Sequence, residues 1–282
     1  MTAESIDNRA TDRAETTLPH TEVTSVMCEV SMGVNDAIAT LTIDNRTRAN
    51  ALTRSMLDAL AAHLRDLDDR PDVAVVVLAG AGSHFCSGLD ITEITAGRRA
   101  RIVDDFIEVE DALARCSKPT IAAVQGHCIG AGAQLAIACD LRIAARTARL
   151  AITPAKLGLV YPAGSIERLV GTVGPAVTKR LLFTADTITA DTALRSGLIT
   201  DVVAEDEFDT AVARLAATVV SRSPTTIAAA KQMTDHAASH GHVSSALHQR
   251  WRNGPDTDLA VGLAAYAAKR TPDFRTVASP TT

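Results

Sequence analysis

With 282 residues, 46 % of them hydrophobic and 22 % charged, the chain can bury one full core or two modest ones and falls outside the disordered class. A net charge of −5 argues against a nucleic-acid face or a polybasic membrane patch, and no apolar run reaches the length of a membrane-spanning helix. Aromatics make up only 3 %, so Ala, Leu, Val and Ile must fill the core, and five cysteines without a Cys-x-x-Cys pair read as free buried thiols rather than disulfides or a zinc site.

In chain order, residues 1–25 are polar, lack an apolar signal segment and read as a mobile tail of a cytoplasmic protein. Apolar runs at 26–32 and 37–43, separated by residues 33–35, predict a β-hairpin. Thr53 is placed to cap a helix on which Met56, Leu57, Leu60, Leu64 and Leu67 recur at helical spacing, and Pro71 stops it. The β-branched run 73–78 predicts a strand buried on both faces, leading into a loop over 79–89 with three glycines. A charged stretch at 92–105, carrying Arg98, Arg99 and Arg101, is either a solvated charge run or a lid, and a helix then runs to about Ser117. A strand at 120–124, a turn over 125–132, a helix through 134–138 and short strands at 141–144 and 150–152 complete a βαβ-like alternation. From Ile166 the pattern is mainly helical, with Pro175 and Pro224 opening helical turns and a last helix expected over 257–270. The expected division is a tail (1–25), an α/β core (26–200) and a helical C-terminal region (201–282).

Two glycine-rich turns follow buried strands, Ala79 to Asp90 and Gln125 to Gln134, and the second opens a helix. Glycine lets a ligand approach the main chain closely, and a helix N-terminus offers unpaired N–H groups with partial positive charge. Two such turns on neighbouring strands can aim two amides at one oxygen, an oxyanion hole; each turn alone reads equally as a tight connection. A dinucleotide fold fits poorly, because Leu135 occupies the third glycine position and Leu150 the acidic one. A phosphate-binding loop is excluded, since no Gly-Lys-Ser/Thr follows either turn.

Over residues 26–275 the sequence resembles the enoyl-CoA hydratase/isomerase (crotonase) superfamily. The resemblance rests on Asn45-Arg-Thr-Arg-Ala-Asn-Ala-Leu52, Phe85-Cys-Ser-Gly-Leu-Asp-Ile91, Lys118-Pro-Thr-Ile-Ala-Ala-Val-Gln-Gly126 and Gly130-Ala-Gly132. It continues through Ile188-Thr-Ala, Ala193-Leu-Arg-Ser-Gly-Leu-Ile199, Ser223-Pro-Thr, Lys231 and Lys269-Arg-Thr-Pro-Asp-Phe274, all in order. It implies an α/β, crotonase-like ββα spiral core with a helical C-terminal trimerisation region, assembled as a homotrimer or hexamer. It also implies an acyl-CoA substrate, with no cofactor beyond that substrate's coenzyme A moiety, and no nucleic-acid, membrane or metal partner. The backbone N–H groups of Leu89 and Ala131, beside Gly88 and Gly130, would form the oxyanion hole. Arg48, Ala49, Ala51, Ser87, Asp90 and Ile91 would line the coenzyme A channel, with Arg48 near a phosphate.

Two positions depart from the family's hydratases, which use two glutamates. The first is Gln134, an amide that hydrogen-bonds but takes no proton, and the second falls on Pro154 or Ala155. Hydration by the two-glutamate route is therefore disfavoured. Gly158-Leu-Val-Tyr161 resembles the methylmalonyl-CoA decarboxylase branch, in which a tyrosine enters the pocket, although that branch often has histidine and glutamate where Leu89 and Gln134 stand. Decarboxylation yields an enolate without a base, and Tyr161 would orient the carboxylate or return the proton; a packed aromatic is an equal reading. His127, Asp90, Cys86 and Cys128 read as structural. Lyase or isomerase chemistry is expected, and a non-catalytic acyl-CoA binder or partner subunit is the alternative.

Overall fold

The computed structural model describes residues 28–94 and 99–275, apart from the side chains of Arg99 and Ala100. The expected tail at 1–25 and Arg98 lie outside the described residues. Strands β1 (Glu29–Asn35) and β2 (Ile38–Asp44) form the expected hairpin, but the turn is Asp36-Ala37 rather than residues 33–35. Both turn residues have positive φ, 47° and 64°, which is how a two-residue loop matches the right-handed twist of its strands. Gly33, taken from sequence as the bend, is an ordinary strand position opposite Thr40.

Helix α1 (Arg54–Asp68) is capped as expected, Thr53 Oγ1 accepting from the Met56 N–H, and its five spaced apolar residues are all buried. Strand β3 (Val75–Gly80) follows, then α2 (Arg99–Arg115), β4 (Thr120–Val124), β5 (His127–Ile129) and α3 (Ala131–Ala138). The 125–132 segment is thus a short strand between two bends rather than a turn alone. The order continues with β6 (Leu141–Ala145), β7 (Arg149–Ala151), the single turn α4 (Pro154–Leu157), α5 (Ala163–Thr184), β8 (Ile188–Thr189), α6 (Ala190–Arg195), β9 (Asp201–Val203) and α7 (Phe208–Val220).

Six strands form one sheet, β1-β2-β3-β4-β6-β9, parallel from β2 onward. A parallel sheet needs cover on both faces, and this one has it. Val76, Leu78, Ala122, Val124 and Ala144 enter the large core with α1, α2 and α3; Val75, Val77, Ile121, Ala123, Ile143 and Ala145 face Phe208, Ala211 and Ala216 of α7. Because β9 and α7 belong to the core, the α/β unit extends past residue 200. A smaller sheet, β5-β7-β8, is joined by a bridge between Cys86 and Cys128. Strands β4 and β6 are each followed by a strand of the short sheet, β5 and β7, and then by a helix, the strand–strand–helix order expected from the resemblance.

The C-terminal region comprises α8 (Pro224–His240), α9 (Ser245–Arg252) and α10 (Thr257–Ala267). Its last helix stops at Ala267 rather than Arg270, since the chain reverses at Lys269 with φ 50°. Pro224 is the first helical residue behind the Ser223 cap, and Gly174, with φ 73° and ψ 167°, breaks α5 just before Pro175. Lys231 ties α8 to the core by pairing with Asp140, whose carboxylate also accepts from the Thr120 N–H. No helix among the described residues is long and apolar enough to cross a membrane.

Candidate active site

The two glycine turns meet. Cys86 N–H donates to His127 O, and Ile129 N–H donates to Cys86 O, both at 2.9 Å, stitching the first turn to β5. At Gly88 (φ 107°) a Cβ would lie 3.1 Å from Ile129 O and 3.6 Å from Ala131 N, so only glycine permits this approach. Gly132, on the first turn of α3, is pressed still closer: a Cβ there would fall 2.4 Å from Cys86 O.

Leu52 N–H donates to Gly88 O and Asp90 N–H donates to Leu52 O, which turns Leu89's own N–H to the opposite side of the chain. Neither Leu89 N–H nor Ala131 N–H donates to another group among the described residues. Both residues line a cavity of about 390 Å³ together with Ser87, Gly88, Ile91 and Gly130. Its wall also holds Gln134, Pro154, Tyr161 and Ser165, and is otherwise largely apolar.

Gln134 is 1 % exposed, and among the described residues neither its Oε1 nor its Nε2 has a hydrogen-bond partner. A buried amide left unpaired costs about 1–3 kcal/mol, and this one stands in the cavity wall. Pro154, not the exposed Ala155, occupies the wall at the second departure. The Tyr161 hydroxyl faces the second turn, 3.8 Å from where a Cβ on Gly130 would stand. Burial first, then the nearby Glu110 carboxylate, push its pKa far above the ordinary phenol value, so Tyr161 is a neutral hydrogen-bond donor.

Arg48, Ala49, Ala51 and Asp90 are not brought into the cavity wall. They brace the turn from behind: Arg48 Nη1 contacts the Asp90 carboxylate at 2.7 Å, and Asp90 accepts from the Thr92 N–H. Ser87 Oγ donates to Arg48 O, and Ser87 N–H to Ala49 O. The residue that organises this loop, Asn50, went unmarked in the sequence. It sits at φ 60°, fully buried, donating from Nδ2 to Ala81 O and His84 O while Oδ1 accepts from Asn45 N–H.

His127 is exposed and lies outside the cavity, stacked on His84 with ring centroids 4.3 Å apart. Burial raises the thiols, Cys86 to about 12 and Cys128 well above its ordinary value, so neither is a thiolate at neutral pH. A further pair escaped sequence reasoning: Ser165, in the wall, donates to the buried Glu110, which also pairs with Arg168 at 3.1 Å. Glu110 and Ser165 lie 55 positions apart on different helices, and no local motif links them.

The family model for enoyl-CoA hydratase/isomerase matches residues 33–277. The chain belongs to the enoyl-CoA hydratase/isomerase family. Over 241 residues it is 32 % identical to the probable enoyl-CoA hydratase echA8 of Mycobacterium tuberculosis, covering 84 % of this chain and 94 % of that one. It is 30 % identical over 218 residues to the peroxisomal Delta(3,5)-Delta(2,4)-dienoyl-CoA isomerase of Arabidopsis thaliana, covering 72 % and 78 %. The crystal structure of enoyl-CoA hydratase from Bacillus anthracis superposes with a TM-score of 0.82 at 27 % identity, covering 87 % of this chain and 98 % of that one. Hydratase and isomerase names thus both occur among this crotonase protein's relatives.

Proposed function

We propose that this family member forms and stabilises a thioester enolate on acyl-CoA substrates, as a lyase of the decarboxylase kind or an isomerase rather than a plain hydratase. The observation that carries this reading is the pair of unengaged amides, Leu89 and Ala131, on one cavity whose wall holds Gln134 and Pro154 where hydratases carry glutamates. Hydrogen bonds from both amides to the thioester oxygen strengthen as negative charge develops on it, which lowers the barrier to the enolate. Gln134 and the neutral Tyr161 hydroxyl are disposed to hold a polar substituent of the acyl group, a carboxylate in the decarboxylase case. The coenzyme A moiety would run past Ser87 and Ile91 over the loop braced by Arg48, Ala49, Ala51 and Asp90. No other cofactor is required by this chemistry.

Incubation with malonyl-type thioesters, 3-enoyl-CoA and crotonyl-CoA separates the outcomes. The reading expects CO₂ release or double-bond migration, with crotonyl-CoA hydration slower than either by at least about 100-fold, the scale of a lost general base. Crotonyl-CoA turning over fastest would contradict it. Tight binding without turnover of any thioester would favour the non-catalytic alternative instead.

A further inference from the structure

At the floor of the same cavity, α5 presents Ser165, 1 % exposed, against Glu110 of α2, fully buried. Ser165 Oγ donates to Glu110 Oε2 at 2.5 Å, while Glu110 Oε1 accepts from Arg168 Nε. Arg168 reaches on to Asp111 at 3.0 Å, so the guanidinium is held between two carboxylates. The structural need for a buried salt bridge is met by Arg168 and Asp111 at the half-buried rim. A second carboxylate, wholly out of water and hydrogen-bonded to a hydroxyl that lines the substrate cavity, goes beyond that need.

We propose that Ser165 and Glu110 form a proton shuttle for carbon acids in this cavity, Ser165 exchanging the proton with the substrate and Glu110 storing it. In the forward step a substrate C–H bond next to the thioester breaks and its proton passes to Ser165 Oγ. The Ser165 hydroxyl proton passes at the same time to Glu110 Oε2. The C–H electron pair becomes the enolate, whose oxygen faces the amides of Leu89 and Ala131. In reverse, Glu110 returns the proton through Ser165 to the same carbon or, for an unsaturated chain, to the vinylogous one. The first outcome is exchange and the second isomerisation.

Ser165 is the group that touches the substrate, and Glu110 works through it. The groups facing Glu110 are Arg168, Asp111 and Tyr161. Burial raises the Glu110 pKa above the ordinary carboxylate value, against the pull of Arg168 and Ser165, and Asp111 adds to the rise. A carboxylate tuned upward in this way exchanges protons more readily near neutral pH. The inference rests on the acyl-CoA reading of the cavity.

Butyryl-CoA in D₂O tests it, because a saturated thioester neither hydrates nor loses CO₂, and the washing-out of its α-proton signal is followed by NMR. The full-length protein should bind butyryl-CoA by calorimetry and exchange its α-protons, with the rate falling as acid protonates Glu110. Ser165→Ala removes one hydroxyl at little packing cost; it should bind within about 3-fold of wild type yet exchange at least about 100-fold more slowly. Glu110→Gln should slow exchange similarly and flatten the acid limb of the pH profile. Wild-type exchange by Ser165→Ala would overturn the shuttle, as would binding without exchange in the parent protein. Absence of any butyryl-CoA binding would overturn the acyl-CoA reading with it.

Discussion

Gln134 carries both atoms of its amide unpaired at 1 % exposure, on a helix where every residue is buried. Replacement by leucine keeps the volume and removes the unpaired group. Gln134→Leu is therefore expected to raise stability by about 1 kcal/mol in urea unfolding while lowering kcat/KM at least about 10-fold. Equal loss of both stability and activity would mean that the amide serves packing. Gly132 argues the opposite case. A methyl group there would meet the Cys86 backbone at 2.4 Å, so Gly132→Ala must push α3 away from the first turn and separate the two amides. Activity should fall with a stability loss of about 1–3 kcal/mol, read from Tm and acyl-CoA affinity together. Gln134 was legible in the sequence as a departure at a motif position. Asn50, Ser165 and Glu110 were not, because they act mainly through partners 31 to 58 positions away.

Helix α3 is short and apolar, so its orientation depends on what holds its ends. Gly130 opens it, and Arg142 closes it: the buried guanidinium donates to Cys139 O at 2.5 Å from Nη1 and to Leu198 O at 2.8 Å from Nε. Arg142→Met should cost about 2–4 kcal/mol, since the Cys139 and Leu198 carbonyls lose a charged donor, and chemical denaturation measures it directly. The joint between α2 and α5 carries the pH dependence. Glu110 has its folded pKa raised, so its contribution to stability is fully present below the ordinary carboxylate value. That contribution is lost as pH rises through the higher folded value. Wild type should thus lose stability relative to Glu110→Gln across that window, so its urea midpoint, followed over pH 4 to 8, should fall relative to that of the variant. Helical spacing of apolar residues revealed α1, and unbroken apolar runs revealed β3 and β4, whose residues are buried almost throughout. The hairpin turn was displaced because Gly33 suggested a bend, whereas Asp36 and Ala37 supply positive φ without glycine.

On the molecular scale, the core closes on itself through β9 and α7, but α8 and α9 bury no residue and α10 exposes Leu259, Leu263 and Tyr266 at helical spacing. An exposed apolar stripe of this kind calls for a partner, and the oligomer implied by the family resemblance is the expected one. Light scattering should give a trimer or hexamer, and Leu263→Asp should shift it toward monomer; a monomeric wild type would refute this. That two turns and a helical tail could be read from sequence, while the packing of the tail could not, follows from the physics. Turn chemistry is local, whereas the packing of the C-terminal helices rests on distant partners, such as Lys231 on Asp140. The claim on which the whole account depends is that Leu89 and Ala131 together polarise one thioester carbonyl. Infrared difference spectroscopy of a ¹³C=O-labelled acyl-CoA on the protein tests it most directly. The account predicts a carbonyl stretch lowered in frequency relative to the free thioester in water, restored in Gly132→Ala; a bound carbonyl vibrating as it does in solution would contradict it.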